Sequence, residues 1–329
     1  MNTDKFTKAS HVAVTGASGF VGSALVQLLA AHTEYVPVAI YRSQPAQYPD
    51  NCKTFVCGDL TTNTDFMPAL QGVDILVHCA ARVHVMNERA VDPMAEFRAA
   101  NVSATHNLAR QAARSGVKRF IFISSIKVNG ESTESGRPYR ADDNPHPGDA
   151  YGLSKKEAEE GLRSIATDTG MELVVIRPVL VYGPGVKANF LNMMNWLSKG
   201  VVMPFGAINN KRSLVSLQNL TDLIRVCLTH PAAANQTFLV SDGDDVSTTQ
   251  LLKKMANALG CRARLVPIPS ALLVAAATVL NKKSLSQRLC GNLQVDIEKN
   301  SVLLGWTPSV TVEEGLKITA EHYHGRTEK

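Results

Sequence analysis

The chain has 329 residues, a formal net charge of +5, and 45 % hydrophobic against 19 % charged residues. This composition excludes disorder and low-complexity behaviour, and the length suits about two domains. The cationic excess is modest and no run of like charge concentrates it, which suits an anionic small ligand and not a nucleic acid.

The first ten residues, MNTDKFTKAS, are polar and lack a signal-peptide core, so a cytoplasmic location is expected. Short apolar runs rich in Val, Ile and Phe follow at 11–15, 36–41, 54–57, 75–78, 120–124 and 173–176. Several are continuously apolar, the pattern of parallel strands covered on both faces. Helical patterns lie between them at 21–31, 93–115 and 151–169. The alternation predicts an α/β fold, a doubly wound parallel sheet of the Rossmann type. Beyond residue 180 the pattern is less regular. Helices are expected at 189–198, 218–228, 248–259 and 312–323, forming a smaller, mostly helical substrate-binding lobe. Two strands, 213–217 and 238–240, are expected to return to the main sheet. The expected division is therefore 1–178 with 212–242 for the dinucleotide-binding domain, and 179–211 with 243–329 for the lobe.

The longest nearly unbroken apolar run, 271–280, is too short to span a bilayer, which takes about 20 residues. A buried helix is the expectation. A membrane-surface helix is the alternative, because Lys282 and Lys283 follow directly. Cys52, Cys57, Cys79, Cys227, Cys261 and Cys290 form no CxxC pair and no zinc spacing, so no metal site is expected. Scattered free thiols suit a reducing compartment.

Four stretches carry chemistry. The first apolar run enters Gly16-Ala17-Ser18-Gly19-Phe20-Val21-Gly22 and then a helix. Gly16 permits a tight turn, Gly19 lets the backbone approach a pyrophosphate, and Gly22 permits close helix–strand packing. The helix start offers N–H groups to the anion. The second strand ends in Tyr41-Arg42-Ser43 with no carboxylate before Asp50. An acidic residue there would favour NAD, whereas Arg42 can pair with the 2′-phosphate of NADP. NADP(H) is therefore favoured, with NAD possible. After the third strand, Asp59 can accept from an adenine amino group or cap the next helix. Finally, Tyr151 and Lys155 stand four apart on one helix face, and Ser124 and Ser125 end the fifth strand. An ammonium beside a phenol lowers the phenol pKa and makes Tyr151 an acid or base near neutral pH.

These motifs, in this order, resemble an extended short-chain dehydrogenase/reductase of the nucleotide-sugar epimerase/dehydratase family. The resemblance covers essentially the whole chain. It rests on TGASGFVG (15–22), GDL (58–60), HCAA (78–81), Asn101, SSIKVNG (124–130), YGLSK (151–155), RPVLVYGPG (177–185) and KRSLVSLQNLTD (211–222). It implies a catalytic trio of Ser125, Tyr151 and Lys155. Ser125 is chosen over Ser124 because the family's hydroxyl lies five residues before the motif glycine, here Gly130. Cofactor contacts are implied for the glycine loop with Ser18, Phe20 and Val21, and for Arg42, Asp59, Leu60, Ala80, Ala81, Ser124, Tyr151, Lys155 and Pro178. Asn101 is implied to help hold the lysine, or is an ordinary helix amide. Lys127, Asn189 and Arg212 are implied substrate contacts, the last two at the diphosphate of a UDP-sugar. Arg82, His84 and Lys127 lie where substrate can pass.

The family's dehydratases carry Asp-Glu after the catalytic hydroxyl residue; Ile126 and Lys127 stand there instead, which argues against dehydration. ARVHVMNE (81–88) and VKANFL (186–191) are similar to a bacterial polysaccharide-biosynthesis subgroup. The expectation is reduction of a UDP-4-keto-6-deoxy-N-acetylhexosamine by NADPH. The alternative is a UDP-hexose or N-acetylhexosamine 4-epimerase retaining NAD. A non-sugar ketoreductase and a non-catalytic NADP(H)-sensing protein stand behind these. Family members commonly form homodimers through helices matching 93–115 and 151–169.

Overall fold

The computed structural model describes residues 9–45, 47–83, 92–280 and 283–327. His84, most of ARVHVMNE and Lys282 lie outside the described residues.

In chain order the elements are β1 (Ser10–Thr15), α1 (Phe20–Ala30), β2 (Tyr35–Tyr41), β3 (Lys53–Val56), α2 (Met67–Leu70) and β4 (Ile75–His78). Then come α3 (Pro93–Phe97), a π-helical turn (Arg98–Ser103), α4 (Ala104–Arg114), β5 (Arg119–Ile123), α5 (Ala150–Thr169) and β6 (Glu172–Pro178). The second half holds β7 (Leu180–Tyr182), α6 (Ala188–Ser198), β8 (Arg212–Ser216), α7 (Leu217–Thr229), β9 (Thr237–Val240) and β10 (Asp245–Val246). It closes with α8 (Thr248–Ala258), α9 (Ser270–Val279), α10 (Lys283–Cys290), α11 (Glu298–Leu304) and α12 (Val312–Thr327).

The chain forms two compact units. The first comprises 1–129, 145–177 and 223–238; the second comprises 130–144, 178–222 and 239–329. The main sheet has seven strands in the order β3-β2-β1-β4-β5-β6-β9, with parallel pairing. The order reverses beside β1, where an open α/β sheet places its ligand crevice. Every residue of β4 and β5 is buried, which is why those runs carry no polar alternation. On one face Leu108, Ala109 and Ala112 of α4, with Leu162 and Ile165 of α5, pack with Leu76, Phe120 and Phe122. Arg119 fastens the end of α7 to β5. Its guanidinium donates to the carbonyls of Cys227, Leu228 and His230 at 2.7–3.0 Å and pairs with Glu172.

Three expectations change. The helix expected at 93–115 is interrupted by the π turn at 98–103, where one extra residue per turn re-aims the side chains that follow. The strand expected at 213–217 does not return to the main sheet. As β8 it sits between β7 and β10 in a separate three-stranded sheet of the second unit, so both its edges are already paired. With it, 212–222 lies in the second unit, as does 130–144. The expected return of 238–240 is met by β9. Lastly, the run 271–280 is not buried: none of the ten residues of α9 is.

Candidate active site

The glycine loop leaves β1 and enters α1. Gly16 has φ 67°, and a Cβ there would stand 2.8 Å from the backbone nitrogen of Ala80. A Cβ on Gly22 would stand 2.2 Å from the Gly16 carbonyl oxygen. The turn therefore closes on itself and on the end of β4 with no room for side chains. Gly19 N–caps α1 without a side-chain bond, and the first helical bond runs from Ser23 N to Gly19 O. The N–H groups of Phe20, Val21 and Gly22 have no acceptor within the helix, which makes this turn a cradle for an anion. Gly22→Ala is expected to lower dinucleotide affinity about tenfold or more, since overpacking costs roughly 1–3 kcal/mol. Nucleotide titration checks this; unchanged affinity would refute the tight-turn account.

Arg42 stands exposed just beyond β2, and Asp59 exposed beyond β3. Asp59 caps no helix, because α2 begins only at Met67 with Phe66 before it. Its backbone carbonyl instead accepts from the Thr64 hydroxyl at 2.8 Å. Leu60 packs against the core of the sheet. Ala80 and Ala81 are half-buried beyond β4, and Pro178 is buried at the end of β6.

Ser125 lies just beyond β5 and Tyr151 in the first turn of α5, near enough for the Ser125 hydroxyl to act on the phenol. Asp149 caps α5, its carboxylate accepting from Gly152 N at 2.7 Å. Gly152 has no space for a side chain; a Cβ would meet the Lys127 carbonyl at 2.7 Å. The start of α5 is thus pressed against the segment carrying Ser125, which brings serine and tyrosine together across 26 residues of sequence.

Lys155 is fully buried. Its Nζ donates to the Ile123 carbonyl at 2.8 Å and lies 4.4 Å from the centre of the Phe122 ring. Burial pulls its pKa down to about 8, against the opposing pull of Cys79 and Glu159. The expected lowering of Tyr151 by Lys155 is not found. Burial, and next the Asp149 carboxylate, push the phenol up to about 12, while the Ser125 bond pulls the other way. The physical reason is the direction of the lysine: its ammonium is engaged by Ile123 and Phe122 beneath the site.

Other residues are placed differently from the expectation. The Ser124 hydroxyl is turned inward and donates to Glu159 at 2.6 Å. The ammonium of Lys127, expected at the substrate, pairs with the Asp149 carboxylate. Asn101, buried in the π turn, accepts from Arg82 N at 2.8 Å, and its amide donates to Arg82 O and to the Ser154 hydroxyl. It thereby joins the backbone beyond β4 to the first turns of α5, where its partner Ser154 immediately precedes Lys155.

Beneath the site lies a buried polar group that sequence reading missed. The Arg177 guanidinium donates to both carboxylate oxygens of Glu159, at 2.6 and 2.9 Å, and to the Asn129 side chain at 3.0 Å. His78 is also buried, its ring nitrogens bonded to the hydroxyls of Thr15 and Thr105 at 2.6 and 2.9 Å. Burial drives its pKa to about 3, so the ring is neutral.

In the second unit, Arg212 starts β8 and donates to the Gly291 carbonyl at 3.2 Å. Burial, then the neighbouring charge of Arg288, pulls its pKa down, while Glu131 opposes. The Arg288 charge is thus near enough to act on Arg212. Arg288 was missed because nothing local marks it; only the fold brings α10 to β8. Asn189 lies exposed in the first turn of α6.

Residues 12–241 match the NAD dependent epimerase/dehydratase family. The chain belongs to this family. It is 48 % identical over 313 residues, 95 % of each chain, to a UDP-glucose 4-epimerase of Vibrio cholerae. The fold is shared with the solved UDP-glucose 4-epimerase of Thermotoga maritima with UDP-glucose: TM-score 0.78, 23 % identity, 96 % of this chain and 99 % of that one. It is shared also with a Bacillus cereus UDP-glucuronic acid 4-epimerase in complex with NAD: TM-score 0.77, 20 % identity, 96 % and 99 % coverage. As an epimerase/dehydratase family enzyme the chain has the expected doubly wound sheet. The glycine cradle fits the dinucleotide that names the family.

Proposed function

We propose that the chain is a UDP-sugar 4-epimerase that retains its dinucleotide through the catalytic cycle. The 48 % identity to the Vibrio cholerae UDP-glucose 4-epimerase, over 95 % of both chains, carries this reading. It displaces the expected 4-ketoreductase, which those relatives do not support. NAD, held at the turn of Gly16, Gly19 and Gly22, would supply a reversible hydride acceptor for carbon 4.

The chain's own residues manage the proton and the pose. Tyr151, with the Ser125 hydroxyl beside it, is the proposed proton shuttle: its phenolate form takes the proton of the carbon-4 hydroxyl and the resulting phenol gives it back to the same oxygen. Preorganised donors of this kind act where charge develops. Arg212 and Arg288, with Asn189, hold the diphosphate, and the 4-keto sugar turns about that anchor. Asp149, held by Lys127, fixes the first turn of α5 and so the tyrosine. The net reaction is an isomerisation, which consumes no reductant. NAD is the proposed cofactor; exposed Arg42 favours NADP as the second reading. A homodimer through the α3–α4 and α5 surfaces, acting on cytoplasmic nucleotide sugars for polysaccharide precursors, completes the proposal.

The test adds UDP-glucose or UDP-galactose to purified protein with no added cofactor and follows the ratio of the two. Interconversion, with near-stoichiometric NAD released on denaturation, is the expected result. No interconversion, with NADPH consumed only when a 4-keto sugar is supplied, would return the assignment to the reductase.

A further inference from the structure

The second unit carries an apolar helix, α9, none of whose residues is buried. Leu272, Val279 and Leu280 are 61 %, 86 % and 67 % exposed, and Val274 is exposed beside them. The sequence of α9, SALLVAAATV, is apolar on every side, whereas a helix lying on its own protein needs only one apolar face.

This helix is not a loose end. Before it, Val266 N donates to Met203 O and Gly206 N to Val266 O, both at 2.9 Å. After α10, the Asn210 amide donates to the carbonyls of Leu289 and Gly291 at 3.2 and 2.9 Å, and the Thr248 hydroxyl donates to Leu289 O at 2.6 Å. Both ends of the α9–α10 hairpin are therefore anchored to the second unit. The approach to α9 continues the patch, since Val266 is itself exposed, as is Val202 beside Met203.

The charge of the flanking sequence points to the occupant. Residues 246–295 contain seven Lys and Arg and no Asp or Glu. That excess is larger than the +5 of the whole chain, so the remainder is net acidic. No run of like charge reveals this; it emerges only over the whole stretch. Lys253, Arg262 and Arg264 of this stretch are exposed. Flanking cations with no carboxylate among them in sequence suit an anionic bilayer, and the apolar α9 supplies the part that enters it. At ten residues it is about 15 Å long and lies in the interface. No helix among the described residues is long and apolar enough to cross a membrane.

We propose that the α9–α10 hairpin docks the enzyme on an anionic phospholipid surface. The apolar side chains of α9 enter the boundary between headgroups and acyl chains, and the surrounding Lys and Arg meet lipid phosphates. The docking keeps the enzyme at the membrane face without insertion.

The experiment is flotation of the full-length protein with vesicles rich in phosphatidylglycerol, against vesicles of phosphatidylcholine alone. Binding to the anionic vesicles is expected at low salt, weakening about tenfold or more on the neutral ones and in high salt. The double variant Leu272→Glu/Val279→Glu is expected to lose that binding by about tenfold or more. Arg262→Glu/Arg264→Glu is expected to weaken it in the anionic vesicles only. Circular dichroism and activity in solution, both unchanged, show that the exposed substitutions leave the fold intact. Equal binding to both vesicle types, or no loss in the apolar double variant, overturns the proposal. So does flotation that appears only when a polyprenyl diphosphate is added, which would make the patch a substrate-tail site. A dimer turned monomer by the apolar variant, with no vesicle binding by the parent, assigns the patch to a second copy and also overturns it.

Discussion

Tyr151→Phe is expected to lower kcat by about 10²–10⁴-fold while leaving dinucleotide and UDP affinity unchanged. The change removes one oxygen and keeps the ring, whose edge faces Phe97 at 6.1 Å between centres, so the packing of α5 survives. What is lost is the phenol hydroxyl beside Ser125, the group proposed to accept and return the proton. Ser125→Ala, which removes the partner, is expected to cost about 10²–10³-fold. Steady-state rates with UDP-galactose, alongside titrations with NAD and UDP, separate chemistry from binding. A Tyr151→Phe enzyme turning over near the wild-type rate would refute the assignment of these two residues.

Glu159→Gln is expected to destabilise the fold by about 3–5 kcal/mol, because it leaves the Arg177 guanidinium buried without its charge partner. Arg177 is 2 % exposed and Glu159 1 %. Denaturant unfolding monitored by tryptophan fluorescence measures the loss, and the surface pair Arg98–Glu157 supplies the contrast. Glu157→Gln is expected to change stability little, since solvent screens that pair. Burial alone would raise the Glu159 pKa. Hydrogen bonds and charge from Arg177, with Ser124 and Arg163, outweigh it and hold the carboxyl below its ordinary value. A carboxyl whose folded pKa is depressed contributes stability that is fully present above the unfolded value, about 4.3, and is lost as pH falls through the folded one. Wild-type stability is therefore expected to fall with acid below about pH 4.3, and the Glu159→Gln curve to be flatter there. A variant as stable as the parent would remove this network from the account of the fold.

The same network explains what could not be read in advance. Ser124 and Ser125 are adjacent and chemically alike, and the strand alone does not say which faces the substrate. In the structure β5 ends so that Ser124 turns to Glu159 and Ser125 to Tyr151, as alternation along an extended chain requires. Lys155 was legible as a neighbour of Tyr151 by its spacing, but its direction was not. The carbonyl of Ile123 and the ring of Phe122 decide that, and both come from β5. Lys127 looked like a substrate contact because it follows Ser125; it is drawn to Asp149, 22 residues later, by the cap of α5.

The seven-stranded sheet and the glycine turn follow from local patterns, since apolar periodicity and glycine spacing act over a few residues; Ser125 and Tyr151 were legible together only through the resemblance to the family's motifs. The edge that β8 joins, the buried Glu159–Arg177 pair, the meeting of Arg212 with Arg288 and the exposure of α9 follow from pairings many residues apart. An apolar run reads the same whether protein or solvent lies beside it. Only the tertiary structure, by deciding which surfaces meet, leaves α9 uncovered.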